Sequence, residues 1–151
     1  MQKLIHLTAP YSDESPEVRL YRVVEVAKIA SRVSLKGTHV ICPMLERHLM
    51  TVYGTTQDTG WTARQVETIN VLTRCEELWI VVLEGWEKSI GVRAETIAAL
   101  ELKMPIKLIN NNLTLVQPTI RTISLSLGIA GPTDIDKIIT TIKGNNNENN
   151  N

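Results

Sequence analysis

Residues 78–83 read LWIVVL and run directly into Glu84 and then GWEKSIGVRAE, Gly85 to Glu95. An unbroken apolar run of that length predicts a strand buried on both faces, as in parallel sheets covered by helices on each side. The glycines and charges that follow end the strand, open a loop and lead into a helix expected through Glu95 to about Lys103. This unit decides the fold class, because the same alternation repeats on either side of it.

Upstream, Leu4 to Ala9 is a short apolar run stopped by Pro10 and predicts another buried strand. Ser15-Pro16 places a capping hydroxyl before a proline, so a helix is expected from Pro16 to Leu35, ended by Gly37. Its apolar face is expected from Tyr21, Val24 and Lys28 together with Val18, Ala27 and Ala30. Thr38 to Cys42 predicts a strand stopped by Pro43. Leu45 to Gly60 shows no clean period and reads as a long surface loop, a common place for function. Thr62 with Gln65 forms a capping-box pattern for a helix reaching about Arg74.

Downstream, Pro105 to Ile109 predicts a strand, Thr114 to Val116 an edge strand and Thr119 to Leu127 a helix. Thr133-Asp134 would cap a last helix whose Ile135, Ile138, Ile139 and Ile142 form one apolar stripe, suited to core packing or a subunit contact. The expected architecture is α/β, an open, mostly parallel sheet flanked by helices, with a short helical C-terminal extension. One domain is expected over 1–143, followed by a disordered Asn-rich tail over 144–151.

Composition narrows the function. Sixteen basic and sixteen acidic side chains cancel, which argues against a nucleic acid polymer as partner, since that needs a basic surface. A small anionic ligand held by one or two arginines remains open. Cys42 and Cys75 stand far apart with no CxxC spacing, and read as buried thiols in a reducing cytoplasm. His6, His39 and His48 are scattered and lack ligand spacing, so no metal is expected. The N-terminus leaves no room for a signal peptide, and no apolar stretch approaches a membrane span.

Ligands of open α/β sheets bind at the carboxyl ends of the strands. That rule selects Thr8 to Asp13, Pro43 to His48 and Glu84 to Glu95. In the last of these, Ser89 is placed to cap the following helix and Gly91 to let a ligand approach the backbone. Free N–H groups at that helix start attract an oxygen-rich ligand. Glu95 is a positioned carboxylate near the same helix start, as attack on an acetal-like sugar carbon requires; a plain surface glutamate is the alternative. Thr8, Ala9, Pro10, Tyr11 and Ser12 are expected to line the other side, with Tyr11 stacking on a base or packing on the sheet end. Arg19 is placed to reach a phosphate or to be solvated, and Trp86, beside Gly85, to stack on a base or close the core. His48 is a candidate proton donor, whereas Trp61 and Trp79 read as packing residues.

LIHLTAPYS at residues 4–12, RCEELWIVVLEGWEKSIGVRAE at 74–95 and the following A-x-x-L-x-x-P resemble the nucleoside 2-deoxyribosyltransferase-like superfamily. They are similar in particular to a branch found in phages and bacteria that reads LASPYS, then CD, then GWExSxGVxxE. The resemblance spans about Leu4 to Ile109 and implies a flavodoxin-like sheet with a pocket for a nucleoside or nucleotide. It implies that Glu95 is the nucleophile, forming a glycosyl ester as the base departs, and that water or a second base releases the sugar. It also implies a homo-oligomer in the cytoplasm, the host's if the chain is phage-encoded, and no cofactor.

Three positions depart from the transferases. His6 stands where they carry a tyrosine that orients the nucleophile, and Ser89 where they carry an aspartate. Thr68 stands where an acidic residue handles the departing base, with Glu67 beside it expected to point elsewhere. The expected function is an N-glycosidic bond enzyme, a transferase or a hydrolase. The alternative is a non-catalytic protein that binds or sequesters a nucleotide.

Overall fold

His6 and Thr8 set the problem that the fold solves: two polar side chains in the middle of an apolar strand. In a computed structural model that describes residues 2–54 and 60–129, that strand, β1 (Leu4–Thr8), is central in a five-stranded sheet. It pairs in parallel with β2 (His39–Ile41) on one side and β3 (Glu77–Val81) on the other. β4 (Ile106–Ile109) continues the parallel sheet beyond β3, and β5 (Leu115–Val116) closes the edge antiparallel. The order β2-β1-β3-β4-β5 is that of a flavodoxin-like open sheet, as the resemblance implies.

Side chains alternate across β1. Leu7 joins Val26, Ile29, Val33, Val81 and Ile109 in one core layer. His6 and Thr8 are register partners of Leu78 and Ile80, which belong to the opposite layer with Ile69, Leu72, Val92 and Ala98. The second layer therefore contains a polar inset at its centre.

Helix α1 (Pro16–Leu35) has the expected ends: Ser15 accepts from the Val18 N–H, Pro16 follows, and Gly37 takes a left-handed φ of 85° past the last turn. Its buried stripe is Val26, Ile29 and Val33 rather than the expected face, and Tyr21 and Val24 are exposed. The loop expected over Leu45 to Gly60 is instead largely helical: α2 (Pro43–Tyr53) starts on a proline at its first position. α3 (Gly60–Leu72) begins before Thr62, which lies inside the helix and is not its cap. A 3-10 turn (Trp86–Lys88) precedes α4 (Ile90–Glu101), capped by Ser89, which accepts from the Val92 N–H. α5 (Ile120–Ser126), capped by Thr119, packs Ile123 into the second core layer. The last expected helix and the Asn-rich tail lie outside the described residues. No described helix is long and apolar enough to cross a membrane.

Candidate functional site

The chain leaves β1 for α1 on one side of the sheet and β3 for α4 on the other, so a crevice opens where the connections diverge, between β1 and β3. A cavity of about 650 Å³ lies there, within the range of small-molecule sites. All three segments selected from the sequence contribute to it. Thr8, Ala9, Pro10, Tyr11 and Ser12 line it after β1, Pro43 and Met44 after β2, and Gly85, Ser89, Gly91 and Glu95 after β3.

Glu95 reaches this cavity from the second turn of α4 and is 4% exposed. That position is past the first turn, where the helix dipole acts, so its anchorage comes from β1. Its Oε1 lies 3.0 Å from His6 Nε2, and its Oε2 accepts a hydrogen bond from Thr8 Oγ1. The two polar side chains inset in β1 thus meet one carboxylate on α4. His6 does not line the cavity; it is wholly buried behind Glu95. Burial opposes its charge, yet its contacts with Cys75 and Glu95 outweigh burial and push its pKa up to about 9. His6 Nδ1 has no hydrogen-bond partner, and Nε2 is the ring nitrogen that meets Glu95, so an Nε2–H donates to the carboxylate and fixes its orientation.

The walls are tied together by Arg22 of α1. Its Nη1 donates to the carbonyls of Ser12 at 2.8 Å and Tyr11 at 3.4 Å, and its Nη2 to that of Glu84 at 3.3 Å. One guanidinium therefore bridges the loops after β1 and β3. Gly85 makes room for it: its φ is 87°, and a Cβ there would come within 2.9 Å of Arg22 Nη2. Arg19, expected at the site, instead donates to the backbone carbonyls of Asp13 and Glu14 and does not line the cavity. It lies almost one turn before Arg22, and only the later position reaches both loops.

Trp86 takes the second of its two expected roles, closing the core, whereas Trp61, expected only to pack, also lines the cavity. Trp86 is buried in the second core layer and contributes nothing to the lining. Trp61, at the start of α3, lines the cavity and lies against Gly91, where a Cβ would meet its ring at 3.3 Å. Gly91 thus makes space for an indole. Glu67 and Thr68 both line the cavity. Glu67 therefore does not point elsewhere; its side chain is 68% exposed and paired with Arg64 at 3.0 Å. Thr68 is buried.

α2 adds a feature that the loop reading hid. Its His48 Nδ1 lies 3.1 Å from the Tyr11 hydroxyl, and the Arg47 guanidinium sits 5.1 Å from the Tyr11 ring centroid. A turn-by-turn reading of Pro43 as a first helical residue would have placed Met44, Arg47 and His48 on neighbouring positions of one face. Cys42, just before α2, is buried, which pushes its thiol up to about 12 and leaves it without thiolate character. His39 is exposed on β2, outside the lining. No group of three or more His, Cys, Asp or Glu among the described residues is placed to hold a metal ion.

Chemically, the site offers a desolvated carboxylate held from behind by an imidazole, facing a cavity lined by aromatic rings and by side chains of both charges, Arg22, Arg47, Arg64 and Lys88 beside Asp13, Glu46 and Glu67. No curated protein matches the chain. Residues 3–111, which carry β1 to β4 and every group described around Glu95, match the family described as a domain of unknown function (DUF1937), and the chain belongs to that family.

Proposed function

We propose that this protein cleaves the N-glycosidic bond of a nucleoside or nucleotide, with Glu95 as the nucleophile. The reading rests above all on Glu95 itself: a carboxylate 4% exposed, fixed through both oxygens, on the wall of a ligand-sized cavity. Taking such a group out of water costs several kcal/mol, and a position serving stability alone does not require an opening onto a cavity.

In the proposed reaction a Glu95 oxygen bonds to the anomeric carbon as the carbon–nitrogen bond breaks and its electron pair leaves with the base. Water then attacks the glycosyl ester, freeing the sugar and restoring the carboxylate; a second base in place of water makes the reaction a transfer. The imidazole of His6 and the hydroxyl of Thr8 keep the carboxylate from rotating out of line. Tyr11 and Trp61 supply aromatic surface for a base. Serving as such an enzyme places the chain in a reducing cytoplasm, which its free, buried Cys42 and Cys75 suit.

The same reading has the chain act as a homo-oligomer. Leu20, Tyr21 and Val24 of α1 and Leu49, Val52 and Tyr53 of α2 are exposed, and cover by a second copy would remove them from water.

Incubation with a panel of nucleosides and nucleoside monophosphates tests the function. Release of free base, seen by chromatography and lost in Glu95→Gln, is the expected result. The second reading, binding without turnover, is favoured by one observation: Thr68 has no carboxyl group to protonate a departing base. It is upheld if a nucleotide raises the melting temperature but is recovered unchanged.

A further inference from the structure

Departure of a nucleobase needs a proton as well as a nucleophile, and the described lining residues differ sharply in their fitness to give one. Thr8 is committed to Glu95. Glu67 is at the exposed mouth with its carboxylate committed to Arg64. Tyr11 differs from both. It is 6% exposed, its hydroxyl is backed by an imidazole at 3.1 Å, and its backbone carbonyl is pinned by Arg22.

We propose that Tyr11 is the acid that protonates the departing base, and that His48 resupplies the proton. This rests on the glycosidic reading of the Glu95 site. A phenol has one proton, so its direction depends on its neighbour. When His48 is doubly protonated, its Nδ1 donates to the phenol oxygen, and the Tyr11 O–H is turned towards the cavity. As the carbon–nitrogen bond breaks, the base nitrogen keeps the bonding pair and takes the Tyr11 proton. The phenol oxygen takes the proton of His48 Nδ1, leaving a neutral imidazole. In the second step, water adds to the anomeric carbon, the Glu95 ester bond breaks, and the water proton returns through Tyr11 to His48. Both groups end as they began, with one water consumed and no other reactant required.

Arg47 fits this arrangement, since a guanidinium over the ring face stabilises developing negative charge on the phenol. The arrangement also accounts for Thr68: with an acid supplied from the β1 loop and α2, α3 has no need of one.

The test compares two substrates: a purine deoxynucleoside monophosphate, and the same compound methylated on its imidazole nitrogen. The methylated base is already cationic and leaves neutral, with no proton needed. Tyr11→Phe keeps the ring and is expected to slow base release from the ordinary substrate by about 10²–10⁴-fold, the usual worth of general acid catalysis. Release from the methylated substrate is expected to stay close to that of the unaltered protein, which also shows that the variant is folded. His48→Gln should show the same selectivity to a smaller degree. Equal slowing of both substrates by Tyr11→Phe, or slowing of neither, while Glu95→Gln silences both, would overturn the Tyr11 assignment and leave the Glu95 reading standing. No release from either substrate by the unaltered protein would overturn both.

Discussion

Two buried glutamates sit at opposite ends of β3, and their carboxylates meet different surroundings. Glu77, at the amino end, is 2% exposed and its carboxylate is fully occupied: Lys3 at 2.5 Å, Lys107 at 2.8 Å and Trp79 Nε1 at 2.8 Å. Glu95 lies past the carboxyl end, on α4, where one imidazole and one hydroxyl hold it and a cavity remains open in front. Glu77 is neutralised by long side chains that drape over it from the surface. Glu95 is backed by rigid groups on a central strand, and its unused lone pairs face a space large enough for a ligand. Burial alone does not make a carboxylate a candidate for chemistry; what its lone pairs face does.

Removing the two carboxylates should therefore break different things. Glu95→Gln is expected to lower base release by at least about 10³-fold, in line with loss of a nucleophile, with the fold kept, as followed by chromatography of the free base. Glu77→Gln should leave turnover per folded molecule unaltered while costing about 1–3 kcal/mol in urea unfolding, the typical worth of hydrogen bonds to a charged group. Substantial loss of turnover in Glu77→Gln would erase the contrast.

The next effect separates the two ends by pH. His6 has its pKa raised from 6.5 to about 9, so the folded chain holds a proton that the unfolded chain releases earlier. Its contribution is complete below about 6.5 and is lost as pH rises through 9, on the order of 3 kcal/mol. Glu77 has the opposite sign. Burial would raise its pKa, but Lys107, Lys3 and Trp79 bring it from 4.5 down to about 2. Its contribution is present above about 4.5 and is lost as pH falls through 2. Stability curves against pH should therefore lose their alkaline slope in His6→Gln and their acid slope in Glu77→Gln. The same slope on both sides in either variant would show that the pairs do not act as described.

The smallest effect expected is at Gly91. An added methyl in Gly91→Ala meets the Trp61 ring at 3.3 Å, so the ring must shift by a few tenths of an ångström. Ligand affinity should fall by only a few-fold, with a change in Trp61 fluorescence, and stability by less than about 1 kcal/mol. Unchanged fluorescence would place the indole away from the site.

Much of the fold was legible because local signals agreed with the global layout. Ser15-Pro16, Gly37 and the apolar run at 78–83 mark their elements to within a residue or two, and the strand-end rule selected the cavity segments. α2 was missed because Pro43, read as the stop of β2, is in fact the first residue of the helix, and the helical spacing of the apolar residues after it was passed over. None of its residues is fully buried, so no core position marks it either. Arg22 and Trp61 were missed for a different reason. Each acts through a contact distant in sequence, Arg22 with Glu84 and Trp61 with Gly91, and no local pattern encodes such a meeting. His6 and Thr8 could have been paired with Glu95 from the alternation in β1 alone, since two polar residues on one face of a central strand require a partner.

The most direct measurement is on the covalent intermediate. The protein is mixed with a nucleotide whose sugar is fluorinated beside the anomeric carbon, which slows release of the glycosyl ester. Digestion and mass spectrometry then locate the sugar. The expected result is one added sugar on the peptide containing Glu95, absent in Glu95→Gln. Release of base with the sugar on another residue, or with no adduct while Glu95→Gln remains active, would contradict the assignment of Glu95 as nucleophile.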